Sequence, residues 1–136
     1  MCGITGIVAL KSSERNFSGI DASLATLHRR GPDHSATFIH ENIAFGHARL
    51  SIIDTSQAAH QPFKDSSGRY TIIFNGEIFN YKELKKIVED RGVVLHTTGD
   101  TEVLLYLYII LGKECLNLLN GFWAFDHNPI DYASKV

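Results

Sequence analysis

Cysteine is scarce: the 136 residues hold two, Cys2 and Cys115, too few for a disulfide framework in a chain of this length. A reducing, cytoplasmic setting is the simplest expectation, with both thiols free. Cys115, inside GKECLNLLNG, reads as a small hydrophobe buried on a helix. Net charge is nearly absent as well, at −2 with a pI near 6.4. That removes the electrostatic case for nucleic acid or an anionic membrane as a partner. No basic stretch precedes the first apolar residues, so no secretory leader is expected. Long hydrophobic runs are missing too. The longest, VLLYLYIIL from Val103 to Leu111, is about half of the ~20 residues a bilayer crossing needs, and predicts a core helix. There is no GxxxxGK[ST] phosphate loop, no GxGxxG, and no HExxH or CxxC pairing. The seven histidines (28, 34, 40, 47, 60, 96 and 127) therefore predict no metal site.

What is present suits one soluble domain with a sizeable core: 44% of residues are hydrophobic and 21% charged, with no repeat, low-complexity tract or linker. CGITGIVAL, from Cys2 to Leu10, reads as a first strand in which Gly3 and Gly6 permit close backbone approach. Ile20, Leu24 and Leu27 recur at helical spacing until Gly31-Pro32 stops the pattern. SATFIH and NIAFGHARLSII read as two strands joined by a polar turn at Glu41-Asn42. A turn-rich loop, DTSQAAHQPFKDSSGR, leads to the strand YTIIFN. Tyr81, Leu84 and Val88 mark a helix closed by Gly92. VVLHTT predicts another strand. Thr101–Leu111 and Glu114–Leu119 predict two helices split at Gly112, and GFWAF a last strand. Several strands are joined too tightly for helical crossovers, so the sheets should be largely antiparallel in an α+β layered fold.

The first two residues pose a chemical question. Loss of Met1 would leave Cys2 with a free α-amino group, whose ordinary pKa of about 7.7–8.0 keeps a useful fraction unprotonated near neutrality. Such an amine can take the thiol proton, directly or through a water, and later return it to a leaving amine. With Met1 in place, the nitrogen of Cys2 is an amide and cannot act so. Taken alone, Cys2 reads better as an ordinary strand residue than as a nucleophile.

The other motifs bear on that choice. CGITGI, RRGPDHS, GHARLSIID, QPF, FNGEIFNY, TTGDTEVLL and LNGFWAF stand in the order and spacing of class II glutamine amidotransferases, which are N-terminal-nucleophile hydrolases. The chain most resembles the glutaminase domain of asparagine synthetases. HARLSIID and FNGEIFNY differ from the wording of the phosphosugar- and phosphoribosyl-type amidotransferases. The resemblance covers residues 1–125 and implies an αββα sandwich. It also implies that Cys2 attacks the side-chain amide of L-glutamine, releases ammonia and forms a glutamyl thioester that water hydrolyses.

Carried over residue by residue, the resemblance makes Asn75 and Gly76 the oxyanion donors and Arg49 the clamp on the α-carboxylate. The stretch Leu50, Ser51, Ile52, Ile53 should line the same pocket, and Glu77 and Asp100 should receive the α-ammonium. Chemistry agrees: a guanidinium fork suits a carboxylate, and glycine offers its N–H without a Cβ in the way. Each position also has an ordinary structural reading. Asn75-Gly76 would make a strand-ending turn, and Asp100 would cap the helix that begins at Thr101. Arg29 stands where the family's HRGPD box usually has histidine.

After Phe125 the wording departs from the family. Residues 126–136 read as a divergent tail, Asn128-Pro129 opposes a continued strand, and the second sheet should be incomplete. The ATP-pyrophosphatase domain would lie outside this chain, taking ATP and Mg with it, so no cofactor is expected here. A synthetase domain or second polypeptide would complete the enzyme, and a homodimer is a further partner state. The rival expectation is a shortened, catalytically inactive paralogue that binds glutamine in a regulatory or assembly role.

Overall fold

The computed structural model describes residues 1–129. It holds two three-stranded antiparallel sheets. The first sheet orders its strands β1-β3-β2, from β1 (Gly3–Val8), β2 (His34–His40) and β3 (Ile43–Arg49). The second is β4-β5-β6, from β4 (Phe63–Lys64), β5 (Tyr70–Ile78) and β6 (Gly121–Pro129).

Side-chain alternation sorts the layers. On β3 the even positions face helix α1 (Ile20–Thr26): Gly46 lies against Leu24, and Ala48 against Gly31. The odd positions Phe45, His47 and Arg49 face the second sheet, and β1 and β3 both pack on β5. On β5, Ile72, Phe74 and Ile78 point the other way, into the main core with helices α2 (Tyr81–Glu89) and α3 (Asp100–Leu111). The result is helix, sheet, sheet, helices, the αββα sandwich expected of an N-terminal-nucleophile hydrolase.

The apolar run does become a core helix. In α3, Leu104, Leu105 and Leu107 are fully buried, each stabilising the fold by roughly 1.5–3 kcal/mol. The helix is sandwiched between α2 and the second sheet, so it needs no polar face. Helix α2 is amphipathic: Leu84 and Val88 face the core, and Gly92 at φ 83 closes it. The expected turn also forms, since His40 pairs with Ile43 across the two-residue loop Glu41-Asn42.

Several expectations fail for identifiable reasons. VVLHTT is not a strand: residues 93–97 are irregular, and Val94 is largely exposed. The peptide groups there find a side chain instead of a neighbouring strand. The buried Glu102 carboxylate accepts from His96 N at 3.0 Å, and from Thr97 N and Thr97 Oγ1 at 2.7 Å each. Residues Gly112–Leu118 form a 3-10 helix rather than an α-helix. Helix α3 begins at Asp100, with Gly99 at the N-cap, so Asp100 lies in the first turn and does not cap it. The Asp100 carboxylate turns instead to Ile78 N, 3.1 Å away. β3 stops at Arg49, and residues 50–53 leave the sheet.

β6 runs past Phe125 to Pro129, which pairs with Tyr70 at the strand's end. Among the described residues β6 has no neighbour on its far side, and an edge strand tolerates a proline. Residues 130–136 of the expected tail lie outside the described residues.

Candidate active site

β1, β3, β5 and the start of α3 converge at one end of the sandwich on a cleft of about 110 Å³. That is well under the ~300–1,000 Å³ of drug-sized sites, and suits one small metabolite. Cys2, Arg49, Leu50, Ile52, Ile53, Gly76, Glu77 and Asp100 all line it. Asn75 and Ser51 are not among the lining residues. Ser51 N donates to Asp33 Oδ2 at 2.7 Å. Asn75 shares the face of β5 that carries Glu77, and its Oδ1 is buried with no hydrogen-bond partner.

Cys2 enters the cleft just before β1. Leu50 N lies 3.3 Å from its Sγ, and the thiol donates to Leu50 O at 3.6 Å. The main chain of Cys2 is tied as well, because Arg30 Nε donates to Cys2 O at 3.0 Å. The RRGPDHS box thus has a visible task. Gly31 lies against β3 so tightly that a Cβ there would sit 2.2 Å from Ala48 C and O, and Asp33 N donates to Arg49 O at 3.0 Å. Arg29 is exposed.

Arg49 is 5% exposed. Its Nη1 donates to Ser56 O at 2.9 Å, and its Nη2 donates to Asp54 O. The guanidinium therefore organises the loop after β3 while also forming a cleft wall. Asp54 binds that loop to the next. Its Oδ1 accepts from Ser56 N at 2.8 Å, and its Oδ2 accepts from Thr98 N at 2.8 Å and Thr98 Oγ1 at 3.1 Å. Hydrogen bonding from the Ser56 side chain, then from the Thr98 backbone, holds this carboxyl down at about 2.

On the opposite wall, Asp100 is 6% exposed, and burial pushes its pKa up, with the charge of nearby Glu77 acting in the same direction. Two carboxyl groups on one wall of the cleft, one of them desolvated, favour a cation beside them. Gly76 contributes backbone alone: a Cβ there would meet Phe122 O at 2.4 Å and Trp123 Cα at 2.7 Å. Its immediate reason for being glycine is the close crossing of β6.

In the cleft wall and behind it lie polar residues that sequence reasoning left without a role. Gln61, within QPF, is 6% exposed and lines the wall. Its Oε1 accepts from Phe74 N at 2.6 Å, and its Nε2 donates to Thr101 Oγ1 at 3.3 Å. His47 is fully buried with Nε2 3.2 Å from Phe74 O. Burial first, and the charge of Arg49 among the rest, lowers its pKa to about 4. His34 and His60 stack with ring centroids 3.7 Å apart. Among the described residues, no group of three or more His, Cys, Asp or Glu is arranged to hold a metal ion. Nor is any helix among them long and apolar enough to cross a membrane.

The sequence pattern of the glutamine amidotransferase domain matches residues 1–128. The chain belongs to that family.

Its relatives among curated proteins include several named as asparagine synthetases or putative asparagine synthetases. "Asparagine synthetase [glutamine-hydrolyzing] 3" of Bacillus subtilis is 40% identical over 128 residues, covering 92% of this chain and 21% of that protein. "Putative asparagine synthetase [glutamine-hydrolyzing] 2" of Methanocaldococcus jannaschii is 37% identical, covering 92% and 27%. "Asparagine synthetase B [glutamine-hydrolyzing]" of Escherichia coli is 36% identical, covering 92% and 22%. The chain thus spans between 21% and 27% of the length of these relatives. Among solved structures, the glutamine phosphoribosylpyrophosphate amidotransferase of B. subtilis, complexed with ADP and GMP, matches with a TM-score of 0.54. It is 27% identical over 68% of this amidotransferase-family chain and 22% of its own. That neighbour has the N-terminal-nucleophile hydrolase fold.

Proposed function

We propose that the chain hydrolyses L-glutamine to glutamate and ammonia through a thioester on Cys2, and that the ammonia serves an asparagine synthetase-type amidation. The observation that carries this reading is the convergence on one cleft of a thiol, a buried guanidinium and two carboxyl groups, those of Glu77 and Asp100. A free amino acid carries charges of both signs. Arg49 would take the α-carboxylate, and Glu77 with Asp100 the α-ammonium. The carboxamide would then lie toward Cys2.

Met1 lines the cleft while its own amine begins the chain. Its removal would free the Cys2 nitrogen to act as a base and clear space for substrate. The amine takes the proton of the thiol as Sγ bonds to the carboxamide carbon. The carbonyl π pair moves onto oxygen, where Gly76 N–H and the Asn75 amide are the proposed donors. Because such donors act on charge that develops in the transition state, each is worth a few kcal/mol of barrier. The intermediate collapses by breaking C–N, the amine returns its proton, and ammonia leaves. Water then cleaves the thioester, releasing glutamate and regenerating the thiol. ATP and Mg belong, on this reading, to a synthetase domain outside this chain, on the same or a second polypeptide.

The test is steady-state assay of the processed chain, with glutamate and ammonia measured together. Equal yields of both, abolished by Cys2→Ala, support the reading. Glutamine binding by calorimetry without either product would instead make the chain an inactive binding module.

A further inference from the structure

Phe74 lies directly before Asn75-Gly76, and its backbone is satisfied in an unusual way. β4 pairs with β5 only through Phe63↔Ile72 and Lys64↔Thr71. Continued in register, that pairing would set Gln61 opposite Phe74, but β4 begins at Phe63 and offers no backbone ladder there. Two side chains stand in for it. Gln61 Oε1 accepts from Phe74 N at 2.6 Å, and His47 Nε2 meets Phe74 O at 3.2 Å. A carbonyl only accepts, so His47 must carry its proton on Nε2. Its Nδ1 is then bare, and it is buried with no partner.

These two side chains reach three walls of the cleft. His47 sits two residues before Arg49 on β3. Gln61 Nε2 donates to Thr101 Oγ1, the residue after Asp100. Phe74 leads into Asn75 and Gly76. We infer that His47, together with Gln61, is a positioning residue: its hydrogen bond to Phe74 replaces missing strand pairing and sets the Asn75-Gly76 peptide against Cys2 and Arg49. The inference deepens the glutaminase reading and rests on it for its kinetic consequence. Oxyanion donors act only when held within about 0.5 Å of the productive geometry, and a shift of about 1 Å can cost ~100-fold in rate. Glutamine in the ground state is held by Arg49 and the paired carboxylates, so loss of this strut should appear in kcat rather than KM.

Three proteins decide the matter: the wild type, His47→Phe, whose ring fills space but cannot donate, and His47→Gln, whose amide can. His47→Phe should lower kcat about 10- to 100-fold with KM within about twofold, and His47→Gln should return kcat to within about threefold of wild type. An unchanged kcat in His47→Phe, equal losses in both variants, or a fall carried by KM would overturn the inference. Amide hydrogen exchange decides independently of turnover. Phe74–Gly76 should lose at least about 10-fold protection in His47→Phe and keep it in His47→Gln; unchanged protection in both overturns the inference. If the wild type shows no turnover, the glutaminase reading fails while the exchange result still stands. If His47→Phe does not fold, the wild type serves alone: ring nitrogen spectra should show Nε2 protonated and Nδ1 bare. The opposite tautomer overturns the inference.

Discussion

Acidification should destabilise this protein through His47, and by an amount the structure fixes. The ring is fully buried between the sheets, and its pKa is lowered from 6.5 to about 4, by burial first and then by Arg49, His34 and His60. Burial favours the neutral ring, so as pH falls the unfolded chain takes up the proton before the folded one. The contribution is complete above pH 6.5 and drains away as pH falls toward 4. At about 1.4 kcal/mol per pH unit, that amounts to about 3 kcal/mol lost by pH 4. Other groups titrate nearby. His60 and His127 are also lowered by burial, whereas burial raises Asp100, which acts in the opposite direction. The comparison must therefore be with His47→Gln. Urea unfolding of both proteins from pH 7.5 to 4 should show their stability difference moving by about 3 kcal/mol in favour of the variant as pH falls. Parallel pH profiles, or a His47 pKa near 6.5 by NMR titration, would refute the reasoning.

Other consequences are equally direct. Arg49→Lys keeps a charge but not the fork, and loses at least one bond to the Asp54 and Ser56 carbonyls; kcat/KM for glutamine should fall about 10- to 100-fold, mainly through KM, in steady-state assay. Gly76→Ala drives a Cβ to 2.4 Å from Phe122 O, and thermal unfolding should report a loss of about 1–3 kcal/mol. Glu102→Gln replaces a buried carboxylate that accepts from His96 N, Thr97 N and Thr97 Oγ1. It should cost about 2 kcal/mol in denaturant unfolding and raise amide exchange at His96 and Thr97.

What could be read from sequence followed the range of the interactions involved. Helix α3 was legible because nine successive apolar residues leave no other place than a core. The β2–β3 turn was legible because Glu41-Asn42 interrupts two strand patterns. Cys2, Arg49, Glu77 and Asp100 were reachable through motif order, and the fold brings them to one cleft. The segment 93–98 misled because β-branched residues suggest a strand, whereas one buried carboxylate on the following helix had already claimed the His96 and Thr97 N–H groups. Asp54 and Gln61 looked like loop residues among Ser, Thr and Ala. Their roles depend on Thr98, Phe74 and Thr101, which no local window contains. Asp100 was expected to cap α3, and it instead reaches the backbone of β5. His47 was only one of seven histidines without metal-ligand spacing, because its partner belongs to the other sheet.

The account turns on the sulfur of Cys2 becoming reactive once its own nitrogen is a free amine. Intact-mass analysis of the folded chain, with and without a glutamine-mimicking electrophile, tests this most directly. The expected result is a chain lacking Met1 that gains one adduct, mapped to Cys2, which excess glutamine suppresses and Cys115 does not share. A folded chain that lacks Met1 yet gains no adduct, or one labelled at Cys2 equally well with Met1 attached, would contradict it.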